Sequence, residues 1–279
     1  MKTALRWLSW GRQAFSWQDW LLFSSVFLAT TALSAQSLAT WLAIASWSVA
    51  LSFFLLLKLL DELLDFDADQ RAGRDSCLLR GEVSQYELWL LVLLILAGQL
   101  YYLLSLRRSQ ALIAWSLLTV SAVLLAHPRL AGRPVLYSFL HYLLLPGFAA
   151  WQFSLNTAWV DFQAQHALLM LMLYAGALQY ELSRKLDLRS GYAGVLSLLQ
   201  ACLGIGFMNL LVCISCAILI MIAGSKLLAA EIIMCVFFAT IYALVCLLIK
   251  PVPSTKILLR NVSGFSLLCL NLVIFTSLA

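Results

Sequence analysis

Long apolar stretches alternate with short polar joints along almost the whole chain, and most stretches approach the roughly 20 residues a helix needs to cross a bilayer core. The pattern predicts nine helical spans, at 20–36, 40–60, 86–106, 110–127, 134–153, 165–184, 194–222, 227–249 and 257–278. The seventh is longer than a crossing requires, and Gly204, Gly206 and Asn209 mark where it is expected to bend or break. Residues 1–19 are mixed and aromatic and carry Lys2, Arg6 and Arg12, which predicts an amphipathic segment lying in the interface rather than a cleavable signal. No internal repeat is visible, and the joints are short apart from 61–85. One all-α polytopic membrane bundle over residues 1–279 is the economical expectation.

Composition agrees with that class. The chain is 63% hydrophobic and only 11% charged, with a mean hydropathy of +0.94, which excludes an ordinary soluble domain. A nucleic-acid partner is not expected. With the amino terminus inside, 15 of the 18 Lys and Arg fall at inner span ends, leaving Arg107, Arg108 and Lys226 outside. The positive-inside rule therefore predicts a cytoplasmic amino terminus in a bacterial-type inner (plasma) membrane. Of the seven cysteines, all but Cys77 lie inside apolar spans without paired metal-ligand spacing, and they read as small buried hydrophobes.

Against this background one segment stands out. Seven of the thirteen carboxylates lie between Asp61 and Glu82, directly after the second span. If helix continues through Asp69, then Asp61, Asp65 and Asp69 drift only about 40° per step and share one face, with Lys58 in the same arc. Like charges at that spacing repel, and a helix C-terminus already disfavours anions. A divalent cation relieves both penalties, and Mg²⁺ takes oxygen ligands, usually one or two carboxylates plus substrate phosphates. A solvated acidic loop is the ordinary alternative; the registered spacing and the downstream Arg71, Arg74 and Arg80 weigh against it.

A second polar cluster, YELSRKLDLRSGY at 180–192, ends the sixth span on the same face of the membrane. Glu181 lies at the end of an apolar helix, where an ionisable residue is costly unless paired or functional. It reads either as an ion pair with Arg184 and Lys185 that ends the helix, or as part of an anion or metal site closed jointly with segment 61–85. On the fifth span Arg133, Tyr137 and His141 are four apart and share a face. His141 admits two readings, a packing residue or a base and hydrogen-bonding partner for an acceptor. Gln179, Gln200 and Asn209 serve helix–helix hydrogen bonding or ligand contact equally well.

These motifs resemble those of the UbiA superfamily of intramembrane prenyltransferases, whose first motif is N-D-x-x-D-x-x-x-D at the end of helix two. Here D-E-L-L-D-F-D-A-D occupies 61–69, with Asp61 at the Asn position, Glu62 at the first Asp, and Asp65 and Asp69 at the other two. Arg74, Arg80, Gly81, Val83 and Ser84 follow the downstream pattern, without its usual proline. The E-x-x-R-K of Glu181, Arg184 and Lys185 is similar to a second-loop pattern of one branch, whereas the common D-x-x-x-D is reduced to Glu181 and Asp187.

The resemblance implies nine helices with catalytic loops at 61–85 and 184–193. It implies Asp61, Glu62, Asp65, Asp69 and Glu181 as catalytic residues and, with Asp187, as Mg²⁺ ligands. Lys58, Arg74, Arg80, Arg184 and Lys185 would bind a polyprenyl diphosphate, and Arg133, Tyr137 and His141 an aromatic or lipid-like acceptor. The expected activity is Mg²⁺-dependent transfer of the prenyl group within the bilayer. The alternative is a non-catalytic relative that binds or transports an isoprenoid or lipid.

Overall fold

The computed structural model describes residues 6–7, 9–11, 17–33, 40–64, 66–71, 73, 77–125, 134–156, 161–187, 197–224 and 227–278. These residues form eleven helices: α1 (Trp17–Leu33), α2 (Thr40–Leu64), α3 (Phe66–Arg71), α4 (Gln85–Leu106), α5 (Ser109–Leu125), α6 (Pro134–His141), α7 (Leu144–Asn156), α8 (Ala164–Asp187), α9 (Leu198–Ile222), α10 (Leu227–Ile249) and α11 (Pro253–Leu278). Five of them, α2, α4, α9, α10 and α11, contain stretches long and apolar enough to cross a membrane. The protein is an all-helical, multi-pass integral membrane protein. The helices group into two compact units, residues 1–24 with 37–132 and residues 25–36 with 133–279.

In the first unit α2 packs on α4, and α4 on α5. Side-chain hydrogen bonds tie the three at membrane depth, where few other polar partners exist. Trp115 Nε1 donates to Gln99 Oε1 (2.8 Å), and Gln99 Nε2 donates to Ser52 Oγ (2.9 Å). Ser46 and Tyr102 hydroxyls meet at 2.6 Å. Phe23 stacks flat on Phe54, centroids 3.9 Å apart. Of the segment expected at the interface, Trp10 is buried and Ser9 Oγ lies 3.8 Å from Cys77 Sγ. The turn after Cys77 closes through Gly81 N to Leu78 O and Glu82 N to Cys77 O. Gly81 has φ +69°, a left-handed backbone that favours glycine. A capping box between Ser84 and Glu87 then starts α4.

The second unit is built around α8, which contacts α6, α7, α9 and α11. That enclosure explains a helix too polar to qualify as a span by hydropathy: its Gln179, Glu181 and Ser183 are buried against protein rather than lipid. Ser183 and Ser263 hydroxyls meet at 2.9 Å between α8 and α11. One face of α8 is shaved to Gly176, where a Cβ would stand 2.6 Å from Leu267 Cδ1, so the Leu267 side chain of α11 seats against bare α8 backbone. Leu203, Phe207 and Leu210 of α9 and Phe238 of α10 are exposed, the inside-out pattern of a lipid-facing surface.

Two helix expectations are corrected. The stretch 134–153, read as one span, is two helices joined at Tyr142–Leu143. Pro146 cannot donate to the Tyr142 carbonyl, and its ring crowds that carbonyl. Instead Leu145 N bonds Tyr142 O (3.2 Å) and Leu143 N bonds Leu140 O (3.1 Å), a tightened turn. By contrast α9 is one unbroken helix through Gly204, Gly206 and Asn209. Its glycines serve packing: at Gly206 a Cβ would meet Leu244 Cδ1 at an ordinary 3.7 Å.

Candidate functional site

The first unit carries the acid-rich end of α2. Asp61 and Glu62 are half-buried on its last turn, and Lys58 Nζ lies 3.7 Å from Glu62 Oε1, one turn back. Helix is described up to Leu64 and again from Phe66 to Arg71, so the expected shared face of Asp61, Asp65 and Asp69 runs through a residue outside the described ones. Asp67 is exposed and Asp69 half-buried on α3. Asp65, Arg74 and Arg133 lie outside the described residues.

Arg80 is held inside its own turn. Its Nε donates to Glu82 Oε1 (2.6 Å) and its Nη2 to Cys77 Sγ (3.1 Å). The guanidinium holds the Glu82 carboxyl below the ordinary range, while burial pushes the Cys77 thiol up.

Within the second unit, Tyr137, His141, Glu181, Arg184 and Lys185 come together. The Glu181 side chain is only 4% exposed. Arg184 grips it along one edge, Nε to Oε2 at 2.8 Å and Nη2 to Oε1 at 2.9 Å. Lys185 Nζ approaches Oε1 to 3.2 Å, and the Tyr142 hydroxyl donates to Oε2 at 2.9 Å. Lys185 also donates to Ser138 Oγ (2.8 Å) and lies 5.9 Å from the centroid of the Tyr137 ring. His141 sits between Tyr137 and Tyr142, centroids 5.2 and 5.5 Å away, and its buried Nδ1 has no hydrogen-bond partner among the described residues.

Tyr142 and Ser138 were not among the residues singled out by sequence. Ser138, Tyr142 and Pro146 are spaced four apart, and the proline four residues on is the one local sign that Tyr142 sits at a joint. The expected metal role of Glu181 does not fit, because four protein donors already occupy its two oxygens. Helix α8 continues through Asp187, whose side chain lies outside the described ones.

Among the described residues no three His, Cys, Asp or Glu side chains converge on a point. The first unit nonetheless offers the donor chemistry a hard cation requires. One or two carboxylates suffice for Mg²⁺ when phosphate oxygens complete the shell, and Asp61, Glu62 and Asp69 are all carboxylates.

Two solved structures are similar to the whole molecule. One, described as a digeranylgeranylglyceryl phosphate synthase in membranes, superposes with a TM-score of 0.72 at 14% identity, covering 100% of this chain and 99% of that one. The other is the apo structure of a UbiA homolog from Aeropyrum pernix K1, with a TM-score of 0.69 at 16% identity, covering 94% of this chain and 98% of that one. The chain has the UbiA fold. No protein-family model matches the sequence, and no curated protein matches it. At such identities the UbiA fold is carried by helix packing rather than by shared residues.

Proposed function

We propose that this UbiA-fold protein transfers the prenyl group of a polyprenyl diphosphate to an aromatic or lipid-like acceptor in the bilayer, with Mg²⁺. The observation that carries the reading is a UbiA fold spanning the entire chain, with acids at the end of α2 where the sequence resembles the family's first motif. Similarity to a digeranylgeranylglyceryl phosphate synthase adds a glycerol lipid to the acceptors worth testing.

In the reaction the allylic C1–O bond breaks, and diphosphate leaves with the electron pair. The acceptor forms the new bond to C1 and gives up its proton. Asp61, Glu62, Asp65 and Asp69 are the residues assigned to Mg²⁺, which when bound supplies positive charge against the diphosphate. Arg184 and Lys185 offer fixed cationic donors to anionic oxygens. The unpartnered Nδ1 of His141 suits it to accept or orient the acceptor's proton, with Tyr137 beside it. Lys58, Arg74, Arg80 and Arg133 are assigned to substrate charge more generally. Positive-inside asymmetry supports placing the acidic segment on the cytoplasmic side.

One observation favours the second reading, a relative that binds an isoprenoid or lipid without turnover: Glu181 is fully engaged by protein donors rather than open to metal. The deciding experiment incubates membranes containing the protein with labelled prenyl diphosphates and cell extract, with Mg²⁺ or EDTA. A Mg²⁺-dependent prenylated product supports transfer; prenyl diphosphate retained without any product, across chain lengths, supports the second reading.

A further inference from the structure

From this geometry we infer that Glu181 and Tyr142 are positioning residues, which hold Arg184 as a preformed fork for a phosphate-type anion without using metal. The inference rests on the proposed reading for its ligand, the diphosphate end of the substrate, but its geometry lies wholly within the second unit.

A guanidinium carries five N–H donors in a rigid plane. Glu181 occupies two of them, Nε and one on Nη2. The three remaining N–H groups, one on Nη2 and two on Nη1, lie on the guanidinium's other two edges, and the Arg184 side chain is 43% exposed whereas Glu181 is 4% exposed. The carboxylate is thus an internal anchor and the guanidinium its accessible end. An arginine free to rotate loses side-chain entropy when it grips an anion; one already clamped loses less.

Tyr142 completes the anchor. Its hydroxyl shares Oε2 with Arg184 Nε, which fixes the carboxylate's rotation and so the plane of the fork. The tyrosine reaches Glu181 from the joint that Pro146 forces between α6 and α7. Ser138, one turn earlier, acts likewise on Lys185. With Arg184, Lys185 and Glu181 together the cluster keeps one net positive charge, appropriate for recruiting an anion.

The test uses the full chain in detergent and inorganic pyrophosphate in the presence of EDTA, titrated by calorimetry. Wild type is expected to bind, and Arg184→Ala to weaken binding tenfold or more. Tyr142→Phe, which leaves formal charge unchanged, is expected to weaken it about fivefold to tenfold, less than the full worth of a hydrogen bond to a charged group because the hydroxyl acts through the carboxylate. In the Arg184→Ala background the same tyrosine change is expected to cost nothing, whereas a merely structural role would cost the same in both. No binding by wild type, full affinity in Tyr142→Phe, or equal losses in both backgrounds would overturn the inference. Should Tyr142→Phe fail to fold, Ser138→Ala is read instead, with undiminished affinity the overturning result. Glu181→Gln is expected to retain the wild-type number of bound Mn²⁺ ions by electron paramagnetic resonance, and loss of one returns Glu181 to the metal. Pyrophosphate coupling without any prenyl product sinks the proposed function and leaves the fork standing; product without the coupling does the reverse.

Discussion

The Tyr142 hydroxyl donates a 2.9 Å hydrogen bond to Glu181, although the two residues lie 39 positions apart. The bond joins the break before α7 to the polar end of α8, and gives a buried carboxylate a neutral donor. A charge at that depth is tolerated because Arg184, Lys185 and this hydroxyl together satisfy it.

Glu181→Ala is accordingly expected to destabilise the protein. It removes the carboxylate that faces Lys185, whose side chain is 14% exposed. Breaking a buried pair costs about 3–5 kcal/mol, and the exposure of Arg184 reduces this to about 2 kcal/mol. Thermal unfolding in detergent measures it, and a melting temperature equal to wild type would show that the cluster contributes nothing.

Asp65→Ala and Asp69→Ala are expected to abolish Mg²⁺-dependent turnover of a prenyl diphosphate while the protein remains folded in membranes. Product formation and gel-filtration profile are read side by side. Full activity in both variants would remove the acids after α2 from the site.

Gly176→Ala introduces a Cβ 2.6 Å from Leu267 Cδ1. The atom met is the end of a flexible side chain, so the cost is expected near the low end of the about 1–3 kcal/mol of overpacking. Leu267→Ala in the same chain is expected to recover part of the loss, since the clash is with that side chain and not with backbone. A double-mutant cycle on melting temperature reads the coupling, and strictly additive effects would contradict the close approach of α8 and α11.

Cys77 is buried, and that burial raises its thiol pKa. At pH 8 a smaller fraction is thiolate than in a free thiol, so alkylation by iodoacetamide is expected to be slower than that of glutathione. The rate should keep rising at pH values where glutathione has levelled off. Mass spectrometry of the 77–80 region follows it; a rate matching glutathione throughout would place the sulfur at the surface.

How far all this could be read from the chain varies by element. The membrane class follows from run length alone, because nothing but a helix can satisfy its backbone in lipid over about 20 apolar residues. Helix α8 shows the limit of that logic. Hydropathy assumes a lipid neighbour, whereas Gln179, Glu181 and Ser183 face protein. The break before α7 was masked by apolar residues on either side of Pro146. At Glu181 an ion pair and an anion or metal site were both legible, and the contacts with Arg184 and Lys185 show the first. Tyr142 and Ser138 escaped notice because their partners are 39 and 47 residues away, and no local spacing encodes a long-range contact.

At Gly176 the Leu267 side chain of α11, and at Gly264 the Tyr180 ring of α8, lie against the room a Cβ would take. The two helices are keyed together by one side chain from each, so sliding one past the other would first require both side chains to leave their seats.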